Sequence, residues 1–367
     1  MNRVTSLDVA RLAQVSQSAV SRAFTPGASV SELTRAKVEN AARKLGYRPN
    51  AIARSLITRR SRMIGVVMSY LDNQFYPVVL EKISQRLQRD GYHVLLFIAD
   101  TREVDPVLAE ILQYQVDGLV MASTSLSGAL ALRCADAGIP VVLFNRTMRD
   151  SQSASSVTSY NYEGGRQVAR HLVEIGSRRI AYIAGMEDSS TNLDRERGFR
   201  DGLAESGRLC FARAVGNYDF ENAKTAARAL FADPARQRPD AVFVANDHMA
   251  MAVMDTLRIE LGLRIPDDVC VVGFDNVKQA AWGSYQLSSV EQDADAMIEA
   301  TVRLLMEQID GAVQSRDLVL PARLVVRGSS TRGQALQASP GDGQAVPKAA
   351  TKLRRRLASA PGAAVTL

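Results

Sequence analysis

Cysteine is scarce and long apolar runs are missing. The 367 residues include three cysteines, Cys134, Cys210 and Cys270, which lie far apart with no paired or metal-ligand spacing. This spacing excludes a disulfide framework and gives no sign of a zinc site, so three buried thiols are the simplest interpretation. No stretch approaches the ~18 apolar residues of a membrane span, and the first residues, MNRVTSLDVARLAQ, lack the apolar core of a signal peptide. We therefore expect a cytoplasmic protein with no membrane contact, no metal and no cofactor.

Charge is unevenly distributed along the chain. The formal net charge is +6, yet residues 1–62 carry twelve Lys or Arg against three Asp or Glu, an excess of nine positive charges. The last 33 residues carry five basic residues and one acidic residue, which leaves the middle of the chain at about −7. A basic N-terminal domain suits double-stranded DNA, because each neutralised phosphate releases counterions. A solvated basic face without a partner is the alternative.

The first 48 residues predict three short helices. Thr5 or Ser6 can cap the first, which ends near Ala13, and Ser16 is the N-cap of the second. In the third, apolar residues recur at three- and four-residue spacing until Gly46 ends the helix. The apolar residues expected to pack in the first and third helices are Leu7, Val9, Ala10, Leu12, Leu33, Ala36, Val38, Ala41, Ala42 and Leu45.

A tight turn at residues 14–16 joins the first two helices, as in a helix-turn-helix unit. The N-terminal residues of the second helix of such a unit enter the major groove. Gln to adenine and Arg to guanine are favoured pairings worth ~1–3 kcal/mol each, so we expect Gln17, Ser18 and Arg22 to contact base edges. A polar, exposed helix in a small bundle is the alternative. Further DNA-binding residues, mostly suited to phosphate contacts, are Thr5, Ser6, Ser16, Ser21 and Ser31.

From Met63 onward, short apolar strands alternate with amphipathic helices. The predicted strands are MIGVVMS, HVLLFIA, GLVMAS and PVVLF in a first series, and RIAYIAG, AVFVAN and VCVVGFD in a second. Helices are expected between them, for example at Val78 to Arg89 and at Leu126 to Ala137. The pattern predicts two sets of parallel α/β units, and ligands of such sheets bind beyond the C-terminal ends of the strands. A chain of this length is expected to contain more than one domain.

Two adjoining stretches carry a family resemblance. VTSLDVARLAQVSQSAVSRAF, followed by VSELTRAKVENAARKLGYRPNAIARSL, resembles the DNA-binding headpiece of the LacI-type (lactose repressor/galactose repressor) family of bacterial transcription regulators. The likeness continues through residue 334, about nine-tenths of the chain. It implies an N-terminal all-α helix-turn-helix headpiece plus an α/β periplasmic-binding-protein-like effector domain of two Rossmann-like subdomains.

The resemblance also implies the domain boundaries. They are residues 1–48 for the headpiece, 49–62 for a hinge helix or linker, and 63–334 for the effector-binding and dimerisation domain. SSVEQD and the stretch around Pro321 look like return crossings between subdomains. The N-subdomain is therefore expected at about 63–160 and 291–322, and the C-subdomain at about 161–290 and 323–334. Residues 335–367, rich in Ala, Gly, Pro and Ser, are expected to form a disordered tail.

In this family, the hinge segment folds on operator DNA. Pro49 blocks continuation of the preceding helix, and Asn50 can cap a short new one. The resemblance makes Leu56 the wedge that enters a central minor-groove step and Ala53 the position of close backbone approach. A plain linker with an incidental leucine is the alternative.

Polar residues at the ends of predicted strands indicate a small-molecule cleft. Asn145 and Arg146 follow PVVLF, Asn246 and Asp247 follow AVFVA, and Asp275 ends VVGFD. Amides, carboxylates and guanidinium groups suit hydroxyl-rich or carboxylated ligands. Asn145 suits a strand-end turn equally well, and family members often carry Asp there. Asp247 is expected to be the N-cap of the following helix.

The resemblance extends the set of cleft residues. Ser189 and Thr191 are expected in a loop near the pocket, and Arg195 is expected to open the helix in DRERGF. For Trp282, the only tryptophan, a pocket position and a surface position both stay open. The expected effector-binding residues, of which the aromatic ones wall the pocket, are Phe75, Tyr76, Asn145, Thr191, Arg195, Tyr218, Asn246 and Asp275.

The implied function is that of a transcriptional repressor whose operator affinity is controlled allosterically by a small metabolite, such as a sugar or sugar acid. One headpiece reads few base pairs, so a homodimer on a near-palindromic operator is expected. A periplasmic solute-binding protein is one alternative, but it would need a signal peptide and no basic helix-turn-helix. A cleft enzyme using Asp247, His248 and Asp275 is another; with three histidines and no nucleophile-elbow, Walker or zinc motif, no catalysis is expected.

Overall fold

The structure is a computed structural model of the chain. It describes residues 4–25, 27–48, 60–99, 110–122, 128–148, 154–233, 237–311 and 314–332. Most of the predicted hinge, residues 49–59, and the predicted tail, residues 335–367, lie outside these ranges.

Three helices form the N-terminal domain: α1 Ser6–Ala13, α2 Gln17–Ala23 and α3 Glu32–Leu45. They share a small core made largely of alanine and valine, to which each helix contributes one stripe. Four residues predicted to pack are not buried in it: Leu7, Leu12, Leu33 and Ala36. Small side chains bring the helices so close together that these outer positions lie beyond the core. The buried residues are Val9, Ala10, Ala13, Val20, Ala23, Val38, Ala41 and Ala42.

Polar caps fix the ends of these helices. Thr5, rather than Ser6, caps α1, because its side chain accepts a hydrogen bond from the Asp8 backbone while the Asp8 carboxylate accepts one from the Thr5 backbone. Ser16 caps α2, as predicted. Helix α3 ends at Gly46, whose φ of +65° lies in the left-handed region that glycine adopts without strain.

Strands and helices alternate through the rest of the described chain. The strands are β1 Met63–Met68, β2 His93–Ile98, β3 Gly118–Ala122, β4 Val141–Phe144, β5 Ser155–Ser159, β6 Ile180–Ala184, β7 Ala212–Val215, β8 Ala241–Val244, β9 Cys270–Asp275, β10 Ser288–Gln292, β11 Asp317–Leu320 and β12 Ala322–Val325. The helices are α4 Phe75–Arg89, α5 Gly128–Asp136, α6 Asn161–Glu174, α7 Ser190–Ala204, α8 Phe220–Phe231, α9 Asp247–Asp255 and α10 Ala294–Ile309.

The described strands form two six-stranded sheets. The first has the order β11-β5-β4-β3-β1-β2, and all neighbours in it are parallel. The second has the order β12-β10-β9-β8-β6-β7 and is parallel except for β12, which runs antiparallel to β10. The predicted helical headpiece followed by two Rossmann-like α/β units is confirmed. In each unit the carboxyl ends of the parallel strands meet at one edge.

Within the described residues, the chain crosses between the sheets three times. It leaves the first sheet after β5 and enters α6, which packs against α7 and β12. It returns after β10 through α10, which packs against α4 and the strands β3, β4 and β5. It crosses finally at Pro321, between β11 and β12. We call the unit around the first sheet the first subdomain and the unit around the second sheet the second subdomain; each combines segments distant in sequence.

The apolar pattern misses strand β5. Its sequence, SSVTS, contains one apolar residue, yet all five residues are buried. Buried hydroxyls need partners, and Ser155 has two: its Oγ accepts hydrogen bonds from Gln308 Nε2 at 2.9 Å and from the Arg316 backbone at 3.0 Å. Partners more than 150 residues away in sequence therefore satisfy the buried hydroxyl of Ser155. They allow this polar segment to form a strand inside the sheet, between β11 and β4.

Three helices differ from their predicted bounds. Helix α4 begins at Phe75 rather than Val78, because Pro77 lies in the first turn, where its missing N–H would have no partner anyway. Helix α5, described over Gly128–Asp136, ends one residue before the predicted Ala137, and its predicted start at Leu126 lies outside the described residues. Helix α7 begins at Ser190, so Arg195 lies in its second turn and does not open the helix.

Helices α6 and α7 are in close backbone contact. A Cβ on Gly198 would lie 1.8 Å from the Tyr162 carbonyl oxygen, and one on Gly165 would lie 2.2 Å from the Arg195 carbonyl oxygen. The two helices therefore approach at glycines, which holds Arg195 at the edge of the second sheet.

We expect Gly198→Ala to lower the free energy of unfolding by about 2–4 kcal/mol, because the added methyl group forces two backbones apart. Gly283→Ala is the matched control, since a Cβ there meets nothing within 4 Å. The control should change stability by less than about 0.5 kcal/mol. Urea unfolding followed by circular dichroism measures both variants, and equal losses would contradict the close helix packing.

Candidate functional site

Helix α2 presents a polar face on the headpiece. Its apolar residues are buried against α1 and α3, whereas Gln17, Ser18, Ser21 and Arg22 are exposed. These four side chains supply hydrogen-bond donors and acceptors on one short helix, as reading of base edges in a groove requires.

The hydroxyl groups predicted to contact phosphates also act at helix N-termini. Like Thr5, both Ser16 and Ser31 accept hydrogen bonds from the backbone N–H three residues further on, at 3.2 Å in each of these two. Ser6, at the start of α1, accepts a hydrogen bond from Gln17 Nε2 at 2.9 Å. The starts of α1 and α2 therefore lie side by side, with their polar groups in contact.

The end of the linker is fastened to the first subdomain. The Ser61 backbone N–H and hydroxyl both donate to Asp117 Oδ1, at 2.7 and 2.8 Å. The Arg62 backbone donates to the other carboxylate oxygen at 3.0 Å. One carboxylate of the first subdomain therefore holds the end of the linker through three hydrogen bonds. The predicted hinge residues Asn50, Ala53 and Leu56 lie outside the described residues, and their roles stay predictions.

The carboxyl ends of the two sheets meet across a cleft. After β4, Arg146 Nη1 donates to Thr191 Oγ1 at 3.1 Å, and the Thr147 backbone donates to Ser190 Oγ at 3.1 Å. A cavity of about 420 Å³ is lined from both subdomains, for example by Tyr70 and by Tyr218, whose hydroxyl lies 3.2 Å from Thr191 Oγ1. Ligands of open parallel sheets bind in such crevices.

Arg195 and Asp275 form a buried ion pair in this cleft, with Arg195 Nη2 3.6 Å from Asp275 Oδ1. Arg195 also donates from Nε to Asn161 Oδ1 at 2.8 Å and from Nη1 to the Ala245 carbonyl at 2.6 Å. Gln292 Nε2 donates to Asp275 Oδ1 at 2.6 Å. Burial raises the pKa of Asp275 to about 6, although the Arg195 charge and the Gln292 hydrogen bond act to lower it.

Asn246, rather than Asp247, caps α9. Asn246 Oδ1 accepts a hydrogen bond from a backbone N–H of the first turn, which leaves its buried Nδ2 with no acceptor among the described residues. Asn246 has the extended backbone of an N-cap, whereas Asp247 is already helical. The Asp247 carboxylate instead accepts hydrogen bonds from the Val277 backbone at 2.9 Å and the Ser289 hydroxyl at 2.6 Å. Burial, followed by the Asp275 charge, raises the pKa of Asp247 well above its usual range.

Ser189 and Thr191 belong to α7 and not to a loop. Ser189 is its N-cap, and Thr191 lies in its first turn. The Tyr218 hydroxyl lies 3.3 Å from Ser189 Oγ and 3.2 Å from Thr191 Oγ1. The Tyr218 ring packs so closely on Gly185 that a Cβ there would lie 2.2 Å from it. Tyr218 is therefore fixed at the wall of the cleft by the start of α7.

Aromatic rings cover the opposite side of the cleft. Phe75 and Tyr76, at the start of α4, meet edge to face with ring centroids 5.5 Å apart, and Tyr70 meets Tyr76 at the same distance. Burial raises the pKa of Tyr70 and of Tyr76, so both are neutral phenols. Phe75 also stacks on Phe144, the last residue of β4.

Asn145 and Arg146 are buried after β4 with unpaired atoms. Among the described residues, Asn145 Oδ1 has no donor, and Arg146 Nε and Nη2 make no hydrogen bond of normal geometry. Burial opposes the charge of Arg146, yet the phenol groups of Tyr76, Tyr70 and Tyr218 hold the pKa of its guanidinium above the ordinary value. Sequence reasoning left Arg146 out of the effector-binding set, although it occupies the same strand end as Asn145.

His248 is a further cleft residue, which sequence reasoning considered only for an enzyme. It is buried at the start of α9, and its Nε2 lies 3.6 Å from Asp72 Oδ2 of the first subdomain. Burial lowers the pKa of His248, and the Asp72 charge acts in the opposite direction. This contact joins the two subdomains on the side where β1 ends.

Left-handed backbone conformations mark the same edge. Asn145, Tyr218, Asp275 and Asn276 have φ values of +58°, +60°, +119° and +51°. Non-glycine residues hold such conformations at a cost of about 1–3 kcal/mol each, and they concentrate at binding sites. Sequence patterns alone do not reveal them.

The described ranges contain no group of three or more His, Cys, Asp or Glu side chains placed to hold a metal ion. Nor does any described helix have the length and apolar composition needed to cross a membrane. Trp282 is 56% exposed, which favours the surface position over the pocket.

Two family models match the chain. Residues 5–50 match the bacterial regulatory proteins of the lacI family, and residues 169–330 match the periplasmic binding protein-like domain. A relative, the HTH-type transcriptional regulator CelR of Thermobifida fusca, is 34% identical over 331 residues, which cover 88% of this chain and 96% of the relative.

Solved structures extend the similarity to the fold. The Lac repressor dimer bound to operator and the anti-inducer ONPF matches with a TM-score of 0.79 and 28% identity, over 90% of this chain and 99% of that chain. A complex of the transcriptional regulator CelR with cellobiose matches with a TM-score of 0.67 and 31% identity, over 89% of this chain and all of that chain. One of these structures contains operator DNA, and the other contains a sugar.

Asp275 makes stability depend on pH. Its pKa is raised from 3.8 to about 6 in the folded protein, so the stabilisation due to its protonated form is fully present below about pH 4 and is lost as the pH rises through about 6. We expect the free energy of unfolding of the wild type to fall by roughly 2–3 kcal/mol more than that of Asp275→Asn between pH 4 and 7.

Urea unfolding at pH intervals measures this difference. Asp268→Asn is the control, because a hydrogen bond from Arg264 lowers the pKa of Asp268 to about 2, outside the interval. Parallel pH profiles for the wild type and Asp275→Asn would show that the Asp275 pKa is not raised.

Proposed function

The chain belongs to the lacI family of bacterial regulatory proteins, and we propose that it is a sequence-specific repressor whose affinity for operator DNA is controlled by a small metabolite in the cleft. One observation carries the proposal: the same chain holds a basic headpiece with an exposed polar α2 and a cleft in which several buried polar atoms have no partner among the described residues. The headpiece supplies recognition of a duplex, and the cleft supplies recognition of a ligand.

The headpiece reads DNA mainly through the start of α2. Gln17, Ser18 and Arg22 contact base edges, and the excess of nine positive charges in residues 1–62 supplies affinity for the phosphate backbone. Leu56 enters the minor groove of the operator as a wedge, Asn50 caps the short hinge helix, and Ala53 permits close approach of the backbone. The residues that position the headpiece on DNA by contacting phosphate groups are Thr5, Ser6, Ser16, Ser21 and Ser31.

The cleft binds a hydroxyl-rich metabolite, a sugar or a sugar acid. Asn145 Oδ1 and Asn246 Nδ2 supply an unpaired acceptor and an unpaired donor, which suit the two faces of a hydroxyl group. Rings such as Tyr76 and Tyr218 cover the apolar faces of a sugar, and Thr191, Arg195 and Asp275 complete the polar lining. The cellobiose in the CelR complex supports this ligand class.

The active form is a homodimer in the cytoplasm, associated with the nucleoid when it is bound to operator. A single headpiece reads few base pairs, and two-fold symmetry doubles the site. The Lac repressor is a dimer on its operator, which supports this assembly. The relatives are transcriptional regulators, and we assign no catalytic activity to the cleft.

Ligand binding controls DNA through the relative position of the subdomains. A ligand shifts the equilibrium between two arrangements only by its difference in affinity for them, typically about 1–3 kcal/mol. Because Asp117 fastens Ser61 to the first subdomain, a rotation of this subdomain in each protomer changes the separation of the two linkers.

We expect Arg22→Ala to weaken binding to an operator selected from random duplexes by about 5- to 150-fold and to relax base preference at one position. Lys37→Ala, on the exposed side of α3, should weaken binding to operator and random duplex equally and reduce the salt slope by about one. Fluorescence anisotropy across a salt series measures both variants. Equal loss of base preference in the two variants would contradict the role of α2.

We expect the Asn246→Ser variant to lose most of its response to the effector. In the absence of effector, its affinity for operator DNA should equal that of the wild type. Serine keeps an N-cap for α9 but removes the unpaired Nδ2 donor. Operator binding with and without the effector measures the response, and the melting temperature without ligand is the control for folding. An undiminished response would exclude Asn246 from the ligand site.

A further inference from the structure

We infer that the effector is an anion, a hydroxyl-rich metabolite with one carboxylate or phosphate group, and that Arg146 binds this group. The inference rests on the proposed role of the cleft as the effector site and narrows its ligand class. Arg146, which the sequence pattern placed at the cleft but which was not among the expected effector-binding residues, is then the residue that determines specificity for charge.

Arg146 has one satisfied and one unsatisfied side. The residue is 3% exposed, and its Nη1 donates to the Asn145 carbonyl at 2.7 Å and to Thr191 Oγ1 at 3.1 Å. Its Nε and Nη2 make no hydrogen bond of normal geometry to a described residue, although the Tyr70 hydroxyl approaches the guanidinium and contributes to its raised pKa. The Nε–Nη2 edge of a guanidinium group carries two parallel N–H bonds and is the edge that takes a carboxylate or phosphate in a bidentate manner.

The second guanidinium of the cleft has a carboxylate partner, although its Nη2 makes no hydrogen bond to a described residue. Arg195 lies 3.6 Å from Asp275, donates to Asn161 and to a backbone carbonyl, and covers the ring of Phe274 at 3.6 Å. Among the described residues, no carboxylate forms an ion pair with Arg146. The Arg146 charge also acts to lower the pKa of Asp275, but Asp275 forms its ion pair with Arg195, so two buried guanidinium groups share one carboxylate.

The groups next to Arg146 do not neutralise it. Tyr70 and Tyr76 are neutral phenols, the Tyr218 ring lies 5.8 Å from the guanidinium carbon, and Asn145 supplies an amide where a carboxylate would have balanced the charge. Two carboxylates lie at the rim of the 420 Å³ cavity, Asp72 and Asp219, but both are solvated. Water screens these rim charges, whereas the buried guanidinium is screened little.

The start of α7 adds to the positive potential. This 15-residue helix begins beside Arg146, where the Thr147 backbone donates to Ser190 Oγ at 3.1 Å. The N-terminal end of a helix carries about half a positive charge and favours anions. The free edge of Arg146 and this helix end therefore favour the same kind of ligand.

Burial of an uncompensated charge is unfavourable unless a ligand supplies the opposite charge. A neutral sugar would hydrogen-bond to Arg146 but leave its charge unbalanced. An anionic ligand would hydrogen-bond to Arg146 and also balance its charge. The cleft without ligand should therefore carry a destabilising charge, and an anion should relieve it.

The first test compares two substitutions in the ligand-free chain. Arg146→Met removes an unbalanced charge, so its melting temperature should equal or exceed that of the wild type. Arg195→Met leaves Asp275 buried without its partner, so its melting temperature should fall by several degrees. A fall in Arg146→Met as large as that in Arg195→Met would assign Arg146 a structural role and overturn the inference.

The second test uses matched probes: gluconate, glucuronate and glucose 6-phosphate as anions, and glucose and cellobiose as neutral sugars. At least one anion should raise the wild-type melting temperature by about 5 °C, the neutral sugars should not, and Arg146→Met should lose the shift. Arg146→Lys, which keeps the charge but not the bidentate edge, should lose affinity by about 10-fold. The carboxylate and phosphate probes distinguish the two sources of charge.

A shift with neutral sugars alone, or the same anion shift in wild type and Arg146→Met, overturns the inference, as does the lack of any anion shift in the wild type. Operator binding is measured in parallel with the same probes. Control of operator affinity by a neutral sugar would leave the proposed function standing and the anion inference wrong. An anion shift through Arg146 without any change in operator affinity would support anion binding and contradict the proposed control of DNA binding.

Discussion

The ion pair between Arg195 and Asp275 is the contact on which the cleft depends. A buried pair is stable only when hydrogen bonds satisfy its remaining atoms, and here Asn161, the Ala245 carbonyl and Gln292 supply them. These partners come from α6, the end of β8 and β10, so one pair of charges fixes the edge of the second sheet. Gln292 also accepts a hydrogen bond from Ser159, at the end of β5. Strands β5 and β10 both lead into crossings, which places the ligand edge one side chain away from the segments that join the two subdomains.

The first subdomain connects the cleft to the linker that leads to the DNA-binding headpiece. The first subdomain contributes Arg146 and Asp72 to the cleft and holds the linker through Asp117. The second subdomain contributes Thr191 and His248 to the same contacts. A ligand that strengthens one set of contacts across the cleft therefore selects one orientation of the element that carries the linker.

The sequence predicted the elements whose signal is local. Apolar strands such as β1 and β9, the cap Ser16 and the stop at Gly46 depend on neighbouring residues, and the family resemblance supplied the order of the domains. Strand β5 depends on distant partners for its serines, so its polar sequence concealed it. Asn246 and Asp247 are both good caps, and only the backbone angles decide between them. Arg146 stood at a predicted strand end, but its significance lies in a missing counterion, which requires the positions of residues from both subdomains.

The crossings also constrain how the molecule is made. The first sheet contains β11, formed by residues 317–320, beside β5. Its other strands leave the ribosome long before this one, so the first subdomain cannot finish folding until synthesis is nearly complete. The headpiece, in contrast, contains only local contacts and can fold as soon as it emerges. A nascent chain would therefore carry a folded headpiece while its effector domain is still incompletely folded. If a ribosome stalled before residue 317, the headpiece would lack the folded domain that controls it.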